Sequence, residues 1–435
     1  MKSGIYITGD SVFPKACNGI LCAAAGAGKG AEFIVPNLLG AGNYDGSWVV
    51  IDPKGQNAYL SADYQRREGR EVIILNPWQI YPQILGGDTL NPLDLLQPDS
   101  PDFYDDCKML AFMMIPATNS RDQHWERRAR ALLVLFMGFM IKHNYGKTLA
   151  DLQNVIAGQA IPQSPHYDAL NSIDEILDFA SASDDEELAR MAKQFIATRG
   201  SFQEGASKEF SGILSTLYDN MSDLGSRRIR DSTNGTSFAL KDLSQGRYAI
   251  YLVIPSERLE SGSRWLRLVI TTLMRAIIRG SEARGAAAPF TFLLDEFASL
   301  GYMKEIETAI QQYRGYNIFC WPILQDLSQL KNLYPQTWEV FINCALVQLY
   351  FGINNPNTAE FVSRLSGFVN VPIAGPNPSS TKRSTFTVQE AMNMSYDQIF
   401  CKIKGYKISQ FDYMPYYKNA EFNGRYPQEL PRELR

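Results

Sequence analysis

An α/β fold built on a mostly parallel central sheet is predicted by three observations. Ile20-Leu21-Cys22-Ala23 runs into Ala24-Ala25-Gly26-Ala27-Gly28-Lys29-Gly30 and on into Ala31-Glu32-Phe33-Ile34-Val35, the order of a strand, a glycine-rich loop and a helix. Short continuous apolar runs such as Trp48-Val49-Val50-Ile51 and Val72-Ile73-Ile74-Leu75 are bounded by turn residues and separated by helical stretches. Buried parallel strands joined by crossover helices have that pattern. A further run, Phe290-Thr291-Phe292-Leu293-Leu294, ends in Asp295-Glu296. In a parallel sheet those carboxylates emerge at the edge that holds the glycine-rich loop.

The loop's chemistry follows from its glycines. Small residues let the backbone turn consecutive N–H groups inward, the next helix adds its positive N-terminal end, and Lys29 reaches the β and γ phosphates of a nucleoside triphosphate. Gly26, Ala27, Gly28, Lys29, Gly30 and Ala31 are the candidate nucleotide-binding residues. Two positions depart from the pattern G-x-x-x-x-G-K-[ST]. Ala23 stands at its first glycine, where a Cβ would crowd the loop if the backbone needed positive φ, and Gly30 stands where a hydroxyl would ligate Mg²⁺. A tight turn before a buried helix explains the loop taken alone.

After the loop come a strand over 47–52, the turn Pro53-Lys54-Gly55-Gln56, a helix through Tyr64 and Arg67, and a strand over 71–75. From about 100 to 231 the Val/Ile runs stop and helical segments take over, at 105–115, 124–143, 174–181, 184–198 and 204–224. In the second of these Trp125, Ala129, Leu132, Leu133, Phe136 and Met140 recur at helical spacing. The block 100–231 reads as an all-helical insertion between the two parts, 1–99 and 232–435, of one α/β domain. The sheet resumes at 247–254, followed by a helix over 263–279 and the acidic strand. Later strands are predicted at 317–321 and 345–351, and helices around 306–313, 326–333 and 358–365. Residues 375–381 read as a loop, and the segment after Tyr413 carries no assignable pattern.

Composition narrows the classes further. Of the 435 residues, 45% are hydrophobic and 20% charged, which excludes a mainly disordered chain, and a formal charge of −4 gives no global attraction to nucleic acid. Contact with a polyanion must come from local patches, of which Lys382 and Arg383 beside the 375–381 loop are the candidate substrate-facing pair. The six cysteines form no C-x-x-C pair and the three histidines show no ligand spacing, which speaks against zinc and for reduced thiols. The longest apolar run, 131–141, falls short of the ~20 residues of a membrane helix.

The acid pair supplies the second half of a nucleotide site. Asp295 would hold Mg²⁺ through water and Glu296 would act on the attacking water. A helix cap followed by a dipole-favoured acid is the alternative for the pair alone.

Leu294-Asp295-Glu296-Phe297-Ala298-Ser299-Leu300-Gly301, Gly28-Lys29-Gly30 with Pro36-Asn37-Leu38-Leu39, and Val50-Ile51-Asp52-Pro53-Lys54-Gly55 together resemble the TraG-type coupling ATPases of conjugation and type IV secretion. Tyr313-Arg314-Gly315-Tyr316, Gln325-Asp326-Leu327-Ser328-Gln329-Leu330 and Gly352-Ile353-Asn354-Asn355 extend the resemblance, in family order, over nearly the whole chain. It implies a RecA-like P-loop domain interrupted by an all-α domain, ATP and Mg²⁺ as cofactors, and a homo-hexamer. It implies work on DNA or protein substrates for a type IV secretion channel at the cytoplasmic face of the bacterial inner membrane.

The family's functional set falls here on Lys29, Asp295, Glu296, Gln325 as γ-phosphate sensor, and Arg314 as a finger reaching a neighbouring subunit. Asp52 and Lys54, at a strand's C-terminal end, are second-tier candidates, since Asp-Pro with a nearby glycine also marks simple chain reversal. Gln56 departs from the family's usual glutamate. Family members carry N-terminal membrane helices, whereas this sequence reaches the phosphate loop almost at once, so membrane attachment is expected only through a segment absent from it. Two rival readings stay open: a DNA translocase of the FtsK/HerA kind, which does not require the helical block, and a degenerate nucleotide-binding adaptor, suggested by Ala23 and Gly30.

Overall fold

The computed structural model describes residues 3–9, 11–116, 123–159, 170, 172–200, 204–285, 288–373, 379–395, 397–429 and 431. The chain divides into two compact units, one of residues 1–86, 241–260 and 277–435, the other of residues 87–240 and 261–276.

The first unit is organised by a nine-stranded sheet. Its strands are β3 (Gly19–Ala23), β4 (Ser47–Asp52), β5 (Glu71–Leu75), β6 (Tyr248–Val253), β7 (Phe290–Leu294), β8 (Ile318–Leu324), β9 (Val347–Phe351), β12 (Gln398–Ile403) and β13 (Ser409–Asp412). A small hairpin, β1 (Ile5–Thr8) with β2 (Ser11–Phe13), precedes it, and a second, β10 (Phe368–Ile373) with β11 (Ser379–Ser384), follows β9. The order is β13-β12-β9-β3-β8-β7-β4-β6-β5. Every pairing from β9 to β5 is parallel, and only β12 and β13 run antiparallel.

The apolar runs explain the parallel part. Trp48, Val49, Val50 and Ile51 are at most 1% exposed, as are Phe292, Leu293 and Leu294, because helices cover both faces of such strands. Gly19 opens β3 without a side chain for a steric reason: a Cβ there would lie 2.5 Å from the ring of Trp321 in β8. That ring also packs on Phe33, just past the phosphate loop, at 4.7 Å between centroids.

Three local expectations change. The helix after the loop is a π-type turn, Gly30–Ile34, followed by a short α-helix, Val35–Leu38. Pro36 offers no N–H to a regular ladder there, and such π-turns concentrate at functional sites. Ser379, Ser380 and Thr381, expected in a loop, belong to β11, while residues 375–378 lie outside the described residues. The segment beyond Tyr413 forms short 3₁₀ turns at Tyr416–Lys418 and Ala420–Phe422, which pack Tyr416 and Phe422 onto Val35, Leu39 and Leu60. Burying Phe422 completely contributes about 2–3 kcal/mol toward holding that segment down.

The second unit is helical. His124–Lys142 lies at its centre, with Leu132 to Met140 buried along its length, and packs against Phe103–Met114, Leu149–Ile156, Glu186–Gly200 and Glu204–Met221. Arg128 and Arg130 lay their guanidinium groups over Phe195 and Phe112 at 4.8 and 4.9 Å, so these basic residues serve packing as well as charge. A full capping box, Thr148 with Asp151, starts Leu149–Ile156.

Candidate functional site

β3 delivers the phosphate loop and β7 delivers the acid pair, and β8 lies between them. Gly26 and Gly28 take φ of 77° and 89°, so the left-handed backbone falls where glycines stand. Ala23 is the last residue of β3, paired with Phe351 in extended backbone, and its Cβ meets no conformational penalty. At Gly30 a Cβ would meet nothing within 4 Å, so lack of space does not explain the missing hydroxyl.

Lys29 crosses to the acid pair. Its Nζ lies 2.8 Å from Asp295 Oδ1 and donates to Glu296 Oε1. Burial alone would lower the ammonium's pKa, but Asp295 and Glu296 together outweigh it and hold it above the ordinary value. Asp295 is 7% exposed, and burial pushes its carboxyl above the usual range against the pull of Lys29. Glu296 sits at φ 49°, left-handed backbone that a non-glycine residue adopts at a cost of roughly 1–3 kcal/mol. Asp295 Oδ1 accepts the Glu296 N–H at 2.9 Å and helps fix that turn.

Gln325 follows β8 and donates through Nε2 to Glu296 Oε2 at 3.4 Å. Capping the next helix, Leu327–Leu333, falls to Asp326, whose side chain accepts from Ser328 and Gln329, so Gln325 keeps its side chain for the acid pair. Four of the candidate residues, Lys29, Asp295, Glu296 and Gln325, therefore meet at one sheet edge.

Others do not join them. The Asp52 carboxylate is 1% exposed and accepts the Ala58 N–H at 2.8 Å, tying its own turn to the first turn of Gln56–Arg67. Burial pushes it up to about 6, partly offset by backbone N–H groups, with Asp295 adding to the rise. Lys54 is exposed and, among the described residues, makes no ion pair. Arg314 is exposed in the turn Tyr313–Tyr316 before β8. The seven residues of β8 separate that end from Gln325 by about 20 Å, too far for Arg314 to reach its own chain's Lys29. Lys382 and Arg383 lie exposed on β11, and Arg383 pairs with Glu390.

One residue beside the loop goes unmarked in the sequence. Glu32 is 6% exposed, and its Oε2 meets no partner among the described residues. Burial raises its carboxyl from 4.5 to about 8, against the opposing pull of Lys418. A folded pKa above the unfolded one means that the folded state binds the proton more tightly. Glu32 therefore costs nothing below about 4.5, costs progressively more as pH rises, and costs a constant amount above about 8. In Glu32→Gln the gain in thermal midpoint over wild type is expected to open across that window, and a pH-independent difference would contradict it.

The donor set fits a nucleotide carrying magnesium. N–H groups of the loop and Lys29 suit phosphate oxygens, and Asp295 suits a hard cation that keeps most of its shell as water and phosphate. Among the described residues no group of three or more His, Cys, Asp or Glu could hold a metal ion by itself.

Comparison with known proteins follows the same line. The sequence model described as type IV secretory system conjugative DNA transfer matches residues 2–429. The conjugal transfer protein TraG of Agrobacterium fabrum is 27% identical over 372 residues, covering 83% of this chain and 53% of that protein. The type IV secretion system-coupling protein VirD4 of Bartonella quintana is 25% identical over 391 residues, covering 87% and 57%. The chain thus spans about half the length of these relatives. Among solved structures, the bacterial conjugative coupling protein TrwBdeltaN70 has a TM-score of 0.64 at 16% identity, covering 95% of this chain and 89% of that one. The plasmid coupling protein TrwB in complex with ADP and Mg²⁺ has a TM-score of 0.62 at 15% identity, covering 92% and 85%. At this identity the likeness is one of fold, an α/β architecture on a mostly parallel sheet.

Proposed function

The chain belongs to the type IV secretory system conjugative DNA transfer family, and from that premise we propose that it is a coupling ATPase. It hydrolyses ATP to recruit DNA or protein substrates and drive them into a type IV secretion channel. The observation that carries this reading is the meeting of Lys29 with Asp295 and Glu296, with Gln325 behind them. The solved complex of TrwB, a protein of like fold, with ADP and Mg²⁺ supports ATP and Mg²⁺ as the cofactors.

Each residue then has a task. Loop N–H groups from Gly26 to Ala31 orient the phosphates, and Lys29 leaves the carboxylates to balance the β and γ charges. Asp295 would hold Mg²⁺, which would supply positive charge against the transferring phosphoryl group. Glu296 takes the proton of the attacking water, and Gln325, bonded to Glu296, registers the γ-phosphate. Arg314, stranded at the far end of β8, acts on the site of a neighbouring copy in a hexamer. We assign the nucleotide chemistry to the sheet-bearing unit, and to the helical unit the role of the coupling family's all-α domain.

We place the protein at the cytoplasmic face of the bacterial inner membrane. Among the described residues no helix is long and apolar enough to cross a membrane. Against the adaptor reading stands the loop itself, since neither Ala23 nor Gly30 distorts it. The test is steady-state hydrolysis by the purified chain with and without single-stranded DNA. Mg²⁺-dependent ATP turnover raised several-fold by DNA is expected; no turnover under any condition would leave the adaptor.

A further inference from the structure

The apex of the phosphate loop is held by two positions far along the chain that hydrolysis does not use. The Tyr413 hydroxyl donates to the Ala27 carbonyl at 3.1 Å. Gly352, just past β9 at φ 57°, makes room for the Ala27 methyl: a Cβ at 352 would stand 2.4 Å from the Cβ of Ala27. Tyr413 is itself fixed. Its N–H donates to the Asp397 carbonyl at 2.9 Å, and its ring meets Phe351 edge to face at 5.6 Å. Phe351 pairs with Ala23, where the loop begins.

Peptide geometry gives this contact a consequence. In a trans peptide the carbonyl of one residue and the N–H of the next point in opposite directions, and the described chain contains no cis bond. Holding the Ala27 carbonyl on Tyr413 therefore aims the Gly28 N–H away from Tyr413. Among the described residues that N–H meets no acceptor, while the Ala27 N–H donates to the Ala24 carbonyl at 3.1 Å. We propose that Tyr413 is a positioning residue for phosphate: it locks the Ala27–Gly28 peptide so that the Gly28 N–H is preset for a phosphate oxygen, and Gly352 seats the same residue from the other side. Burial, with Glu32, Asp397 and Tyr417 nearby, pushes the Tyr413 hydroxyl up to about 12, so it remains a donor at any working pH.

The inference rests on the nucleotide reading, and the experiment separates the two. In the full chain Tyr413→Phe removes the donor and keeps the ring on Phe351. Titration with Mg·ADP and steady-state ATP hydrolysis are expected to show Kd and KM raised about tenfold, as loss of one net hydrogen bond from the Gly28 N–H to phosphate would, with kcat within about twofold and the thermal midpoint lowered by no more than a few degrees. Amide exchange at Ala27 in nucleotide-free protein is expected to quicken. If wild type binds Mg·ADP and Lys29→Ala weakens that binding, but Tyr413→Phe binds as wild type does, the positioning role is wrong and the nucleotide site stands. A wild-type chain that binds no Mg·ADP overturns both. Faster Ala27 exchange without a change in Kd also overturns the positioning role.

Discussion

Glu296→Gln is expected to lower ATP turnover by about 10²–10⁴-fold, the range for removing a positioned general base, while ATP still binds. The side chain keeps its size, and its amide can still meet Gln325, so the turn at φ 49° need not move. What disappears is the acceptor for the water's proton. Measured kcat should collapse while KM for ATP stays within a fewfold of wild type. Loss of binding along with turnover would instead mean that Glu296 holds the nucleotide or the fold.

Arg314→Ala is expected to lower turnover by about 10³-fold or more if its guanidinium stabilises charge on a neighbouring copy's γ-phosphate. The strand geometry demands the neighbour, because about 20 Å of β8 separates Arg314 from its own site. Two signatures follow from sharing. Wild-type specific activity should rise with protein concentration. Mixing Arg314→Ala with Lys29→Ala, each inactive alone, should restore part of the rate, because some interfaces then join an intact Lys29 to an intact Arg314. No recovery on mixing, in a mixture shown to associate, would remove Arg314 from the mechanism.

Much of the site was legible because each piece carries its own local chemistry. Lys29 ends a glycine-rich turn after an apolar strand, and Asp295-Glu296 ends another such strand. Both therefore had to emerge at the same edge of a parallel sheet, and they do. Gln325 was harder to separate from a helix cap by position alone. The structure gives the cap to Asp326.

What escaped the sequence depends on contacts between distant segments. β12 and β13 close one end of the sheet antiparallel, and β13, at the edge, is short and mostly polar and exposed, so no apolar run marks Ser409–Asp412. Without those strands nothing points Tyr413 at Ala27. Glu32 looks like an ordinary acid in a helix's first turn, and its exposure of 6% depends on tertiary packing around it. Asp52 does sit at a strand end beside the site, and only the structure shows that its carboxylate accepts the Ala58 N–H of its own turn.

Titration of ATP with Mg²⁺ into Glu296→Gln, and into the same variant carrying Lys29→Ala, asks most directly whether Lys29 and the acid pair close on one nucleotide. The single variant should take up one ATP per chain and yield it back unhydrolysed. Adding Lys29→Ala should weaken that binding roughly 50-fold, as loss of a charge-assisted contact to phosphate would. Equal affinity with and without Lys29, or no saturable binding in either, would contradict it.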